Sequence, residues 1–106
     1  MGAFPLRRAD VETYLMPDGS CVLFDPRLGE GFTLNAAGAL VWDYCDGALS
    51  TDEIAREVAS LLPNEPQAYT DGLAVMSQLR ELGLLEIQSE RVSPKGTETE
   101  SLNANE

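Results

Sequence analysis

The stretch Phe32-Thr33-Leu34-Asn35-Ala36-Ala37-Gly38-Ala39-Leu40-Val41-Trp42-Asp43-Tyr44-Cys45-Asp46-Gly47 decides the fold, because within it the chain passes from an extended to a helical pattern. Phe32-Thr33-Leu34 has the bulky and β-branched residues of a very short strand. Asn35 is a good N-cap, since its side-chain oxygen can accept from an N–H that the first helical turn leaves unpaired. Gly38, Val41, Trp42 and Cys45 then recur at i, i+3, i+4 and i+7, which puts them on one helical stripe. Asp46-Gly47 supplies the stop, Gly47 being able to take the left-handed conformation that ends many helices.

Before this stretch the pattern is extended. Residues Val11–Met16 mix β-branched and aromatic side chains, Pro17-Asp18-Gly19-Ser20 signals a tight turn, and Cys21–Phe24 reads as a second apolar strand. The segment Asp25-Pro26-Arg27-Leu28-Gly29-Glu30-Gly31 reads as a loop into the third strand, Phe32–Leu34. After the stretch come two more helices. Ser50-Thr51-Asp52-Glu53 matches a capping box, followed by the stripe Ile54, Ala55, Val58, Leu61 and Leu62, and Pro63 ends the helix. The third helix is expected from about Pro66, in its first turn, to Leu82, with Gly83 as its C-terminal cap. Leu84–Ile87 reads as a short wing or last strand packing back on the body. The result is an α+β layout of winged helix-turn-helix type, a small three-stranded antiparallel sheet followed by three helices. The folded domain is expected to span 1–87, with 88–106 a disordered acidic and polar tail too poor in apolar residues to offset the entropy of ordering.

The chain has 106 residues, a formal net charge of -11 and no histidine. Its length suits one domain, and no apolar run approaches the roughly 18 residues a membrane span needs. Met1–Asp10 lacks the apolar core of a secretory signal, so a soluble cytoplasmic protein is expected. The missing histidine removes the commonest general base and metal ligand. Cys21 and Cys45 are too few for a zinc site; a disulfide between them is open, but two buried thiols are the expected state. Asp43 and Asp46 lie three apart on the first helix with no nucleophile or phosphate-cradling loop beside them, and Gly29-Glu30-Gly31 enters a strand rather than a helix. Neither catalysis nor a cofactor is therefore expected. Trp42 is expected in the core.

A winged helix is often a DNA reader, so a regulatory or DNA-binding module is the alternative. Against it, the negative field repels nucleic acid and anionic lipid and favours basic peptide or protein partners. The third helix offers only Arg80 against Asp71 and Glu81. That helix is unusual in another way. Tyr69, Leu73 and Met76 cluster on one flank, and Ala68, Val75, Leu79 and Leu82 on the next, wider together than one core contact requires. The first cluster is expected to pack on the core and the second to line a groove. A small sheet also leaves unpaired backbone groups at its edges, to which an extended peptide can add as a strand.

Taken in order, the run Leu34-Asn35, Gly38, Val41-Trp42, Asp46-Gly47, then Thr51-Asp52-Glu53-Ile54-Ala55, then Asp71, Leu79 and Gly83-Leu84-Leu85 resembles the signature of the PqqD family. The likeness spans about Val11 to Ile87 and leaves out the tail. It implies a RiPP recognition element, a non-catalytic chaperone that holds the leader of a ribosomally made precursor peptide for a modifying enzyme, often a radical SAM enzyme or another RiPP maturase. The family serves pyrroloquinoline quinone, lasso-peptide and other pathways. Its leader adds to the third strand beside the third helix. Carried to this chain, that implies peptide-binding residues Gly31, Phe32, Thr33 and Leu34 on the strand, and Asp71, Val75, Gln78, Leu79 and Leu82 on the helix. It implies no cofactor, no nucleic acid and no membrane partner.

Overall fold

The computed structural model describes residues 2–91. Its elements run β1 (Phe4–Arg7), β2 (Glu12–Leu15), β3 (Cys21–Asp25), β4 (Glu30–Leu34), α1 (Ala36–Tyr44), α2 (Thr51–Leu61), α3 (Ala68–Glu81) and β5 (Leu85–Gln88). The α+β layout expected from the sequence is present, with a three-stranded antiparallel meander in the order β2-β3-β4. The register pairs Leu15 with Cys21 across β2 and β3, and Leu23 with Phe32 and Cys21 with Leu34 across β3 and β4. Period two then puts Cys21, Leu23, Phe32 and Leu34 on one face, and that face meets the helices. Residues expected in the loop before Phe32 belong instead to β4, because Glu30 and Gly31 continue the ladder opposite Asp25 and Phe24.

The wing is half of a second sheet. β5 pairs antiparallel with β1 from Phe4 opposite Gln88 to Arg7 opposite Leu85. β1 is not marked in the sequence, since a four-residue strand containing Pro5 carries little local signal of its own. Gln88 closes β5, and the Arg91 guanidinium donates to the Ala48 carbonyl at 2.6 Å and to Glu53 at 3.2 Å, so ordered contacts continue past Ile87. The remainder of the expected tail, 92–106, lies outside the described residues.

The helices start and stop where their caps dictate. In α1 the Gly38 N–H donates to Asn35 Oδ1 at 2.8 Å, and Gly38, Val41 and Trp42 are buried as the stripe requires. A Cβ on Gly38 would lie 3.3 Å from both Leu34 Cβ and Asn35 Oδ1, so a glycine here lets the first turn of α1 lie tight against the end of β4. In α2 both halves of the Ser50–Glu53 capping box are made. Ile54, Ala55 and Val58 of its stripe are buried, whereas Leu61 stands exposed at the helix end. α3 starts later than expected. Pro66 sits in the preceding turn, and Gln67 occupies the N-cap position without a side-chain cap. Its end is a Schellman motif: Gly83 takes φ +77, its N–H donates to the Arg80 carbonyl, and the Leu84 N–H donates to that of Leu79. Leu79 and Leu84 are both buried, so the apolar contact that accompanies this motif helps set β5 against the body.

The core gathers Leu23, Val41, Trp42, Ile54, Val58, Met76, Leu79 and Leu84 with both cysteines. Trp42 is buried as expected and donates from Nε1 to Thr13 Oγ1 at 2.9 Å. Cys21 and Cys45 are free thiols without solvent exposure. Burial pushes the Cys45 thiol up to about 12, and its Sγ donates to the Val41 carbonyl at 3.1 Å. Burial also raises Cys21. Since the thiolate is the reactive species, neither cysteine should be alkylated by iodoacetamide at pH 8 in the native protein, while both should react in denaturant. Intact-mass spectrometry reads this directly, and rapid native labelling of either thiol would contradict the burial described.

One buried ion pair ties the two sheets together. Arg8, just after β1, donates two hydrogen bonds of 3.0 Å to the carboxylate of Asp25 at the end of β3. The same guanidinium donates to Asp10 at 2.7 and 3.1 Å and to the Gly83 carbonyl beyond α3 at 3.0 Å. Asp25 is 1% exposed and also accepts from the Arg27 N–H. The Arg8 hydrogen bonds hold the Asp25 carboxyl below the usual carboxylate range, against the opposing effect of burial.

Candidate functional site: an open sheet edge beside a helical cleft

Both β2 and β4 are edge strands, so each leaves backbone groups unpaired. β4 is the edge that leads into the helices. It packs on α1, with at most slight contact to α3, and the tight turn at Gly38 aims its end along the start of α1. A cleft of about 540 Å³ begins at Asn35, the residue after β4, and none of Gly31, Phe32, Thr33 or Leu34 is among its lining residues. One wall is Asn35, Ala36, Ala37 and Gly38 of the α1 start; the facing wall is Ala68, Asp71, Gly72, Ala74, Val75 and Gln78 along α3. Val41, Val58 and Leu62 form its apolar floor and end, and Glu65 stands in the connection before α3.

The reason for the cleft lies in residue size. Where α1 and α3 face each other the side chains are mostly alanine and glycine, so the helices pair through small residues and leave space above them. At Gly72 a Cβ would be 3.6 Å from Ala55 Cα and 3.8 Å from Val41 Cγ2, so α3 lies close against both α2 and α1 there. Asp71, Val75 and Gln78 follow at i, i+4 and i+7, one face of α3, and all three line the cleft.

The expected helix residues therefore divide. Asp71 and Gln78 are exposed and Val75 is half-buried at the cleft wall. Leu82 is exposed one turn beyond it. Leu79 sits elsewhere: it is 2% exposed and part of the core, which corrects its assignment to an open flank. Met76 is in the core as expected, but Tyr69 of the same expected cluster is exposed, and its hydroxyl donates to Asp52 of α2 at 2.5 Å. The α3 core stripe is Ala68, Gly72, Met76 and Leu79, which runs between the two clusters read from the wheel. On the strand, Phe32 and Leu34 face the core half-buried, while Gly31 and Thr33 face outward. Glu65 and the small residues Ala36, Ala37 and Gly72 were not anticipated. For the small residues the legible signal was the run Ala36-Ala37-Gly38-Ala39 at the start of α1 and Ala68 and Gly72 at i and i+4 in α3; nothing in the sequence marked Glu65.

A second cleft of about 580 Å³ lies on the other side of α1, lined by Thr13, Leu15, Met16, Leu40 and Trp42 with Arg7 and Asp43. Arg7 is occupied there, donating to the Trp42 and Asp43 carbonyls at 2.8 and 2.7 Å. Among the described residues no group of three His, Cys, Asp or Glu side chains is placed to hold a metal ion, and no helix is long and apolar enough to cross a membrane. The DNA-reading alternative gains nothing from α3, whose exposed face carries Asp71 and Glu81 with Arg80.

Comparison with known proteins gives two matches. The profile of the family described as coenzyme PQQ synthesis protein D (PqqD) matches residues 20–85. Among solved structures, the fold is similar to that of TbiB1, determined in complex with the TbiA(beta) leader peptide, with a TM-score of 0.65 and 21% identity over 80% of this chain and 99% of that one. No curated protein matches the sequence.

Proposed function

This chain belongs to the PqqD family, and we propose that it binds the leader of a ribosomally synthesised precursor peptide and presents it to a modifying enzyme, without catalysing a step itself. The observation that carries this reading is the free β4 edge leading into the cleft between α1 and α3. Strand addition needs an unpaired edge for backbone hydrogen bonds and a neighbouring pocket for alternate side chains; the free edge of β4 would serve as the first and the cleft that begins at Asn35 as the second. In this reading Gly31–Leu34 supply the backbone ladder. Asp71, Val75 and Gln78 form the side-chain wall, Leu82 extends it, and Leu79 holds that wall from behind. The solved relative of like fold binds a leader peptide. The partner enzyme is a radical SAM enzyme or another RiPP maturase, and the encounter takes place in the cytoplasm, where the precursor is made.

Isothermal titration with the leader of the precursor encoded nearest this gene tests the reading. A saturable one-to-one heat is expected. Its absence at high-micromolar peptide would count against leader binding.

A further inference from the structure

The cleft beside β4 is apolar in shape but not in charge. The ionisable side chains lining it are Glu65 and Asp71, both exposed. Neither makes an ion pair among the described residues. Arg8, Arg56 and Arg91 are paired with acids, Arg7 is bonded to carbonyls, and neither Arg27 nor Arg80 lines the cleft. Two carboxylates thus line the cleft together with Leu62, Ala68 and Val75, with no cation beside them among the described residues, on a chain whose net charge is -11.

We infer that the peptide segment seated in this cleft carries a lysine or arginine there, its aliphatic stem on Val75, Ala68 and Leu62 and its cationic head at Glu65 and Asp71. This rests on the leader-binding reading and adds to it the chemical class of ligand. A wholly apolar anchor would fill the cleft yet leave two carboxylates partly desolvated, and an acidic one would be repelled. A long cationic side chain meets both demands, because it buries its methylenes along apolar surface while its head stays at polar groups. Strand addition at β4 sends alternate side chains of the peptide to the same side, so one such residue at a fixed position suffices. The interaction is short-range and partly solvated, so it selects among peptides and weakens with salt.

The test is selection of random peptides by mRNA display against the full chain, in parallel with the double variant Asp71→Asn/Glu65→Gln. Both changes keep side-chain size at exposed positions, and circular dichroism checks that the variant is folded. Peptides bound by the unchanged protein should share a lysine or arginine at one position flanked by apolar residues. Their affinity should fall about tenfold for the double variant, the size of a lost charge-assisted hydrogen bond, and a Val75→Asp variant should not bind them. If the selected peptides lack such a cation, or bind the double variant equally well, the cationic anchor is wrong while peptide binding stands. If they bind Val75→Asp unchanged, they sit outside this cleft and the inference falls. If the unchanged protein selects no peptide at all, the leader-binding reading falls and this inference with it.

Discussion

Asp25→Ala is expected to lower the melting temperature by on the order of 10–20 °C, or to prevent folding outright. Asp25 is 1% exposed and receives two hydrogen bonds from Arg8, itself 7% exposed. Removing the carboxylate leaves a guanidinium between the two sheets with only Asp10 at the rim and the Gly83 carbonyl for partners. A buried pair broken on one side costs far more than the pair contributes when whole, because the remaining charge stays desolvated. For the same reason the double variant Arg8→Met/Asp25→Leu should recover part of the loss. By contrast Arg56→Ala, which removes only the exposed partner of Asp52, should change the melt little. Thermal melts followed by circular dichroism check all three, and an unchanged melt for Asp25→Ala would show that the pair does not tie the sheets. The pair also sets an acid limit. The folded Asp25 carboxyl is held below its unfolded value, so its contribution is complete above the ordinary carboxylate range and is lost as pH falls through the depressed value.

On α3, Leu79→Asp and Met76→Asp should both unfold the domain, while Val75→Asp should stay folded and lose peptide binding by at least about a hundredfold. Leu79 and Met76 are 2% and 4% exposed within the shared core, where a carboxylate has no cation to meet. Its burial cost is comparable with the roughly 5–15 kcal/mol by which a small domain is stable. Val75 is half-buried at the cleft wall, so a carboxylate there reaches water in the free protein. A seated peptide would cover that charge beside Asp71 and bring no second cation to neutralise it. Melts on all three variants and titrations on the folded one separate the cases. A folded Leu79→Asp would mean that α3 is turned the other way.

The meander and the helix order were legible because local rules agree there. Asn35, the Ser50–Glu53 box and Gly83 each satisfy their caps without help from distant parts of the chain. What sequence could not provide was anything settled by long-range geometry. β1 finds its backbone partners only far along the chain, in β5 and in the Cys45–Thr51 connection, and Arg8 and Asp25 find each other across 17 residues through the joining of two sheets. On α3 the periodicity located an unusually broad apolar surface, yet the boundary between core and cleft fell through it differently. Small residues decided that boundary: Gly72 lets α3 settle against Ala55, turning Leu79 inward and leaving Val75 at the wall. The strand half of the candidate site, Gly31–Leu34, was readable as an edge from strand count alone, and the acidic half was visible only for Asp71.

The pairing of β1 with β5 also bears on how the chain acquires its structure during synthesis. The meander and the helices connect near neighbours, so they can form as soon as each emerges from the ribosome. The first strand cannot be completed so early: it can bond to Cys45, Asp46 and Gly47 once they are made, but its ladder partner, from Leu85 to Gln88, is among the last described residues to be made. Until then the apolar side of Phe4 and Pro5 has no sheet to join, and Arg8 reaches Asp25 without the Gly83 carbonyl that completes its set. The β1–β5 ladder spans the longest separation of the strand pairings described and should be the last of them to form. A nascent chain arrested before Leu85 should therefore already hold a protected meander, but gain full protease resistance at its amino-terminal strand only after release.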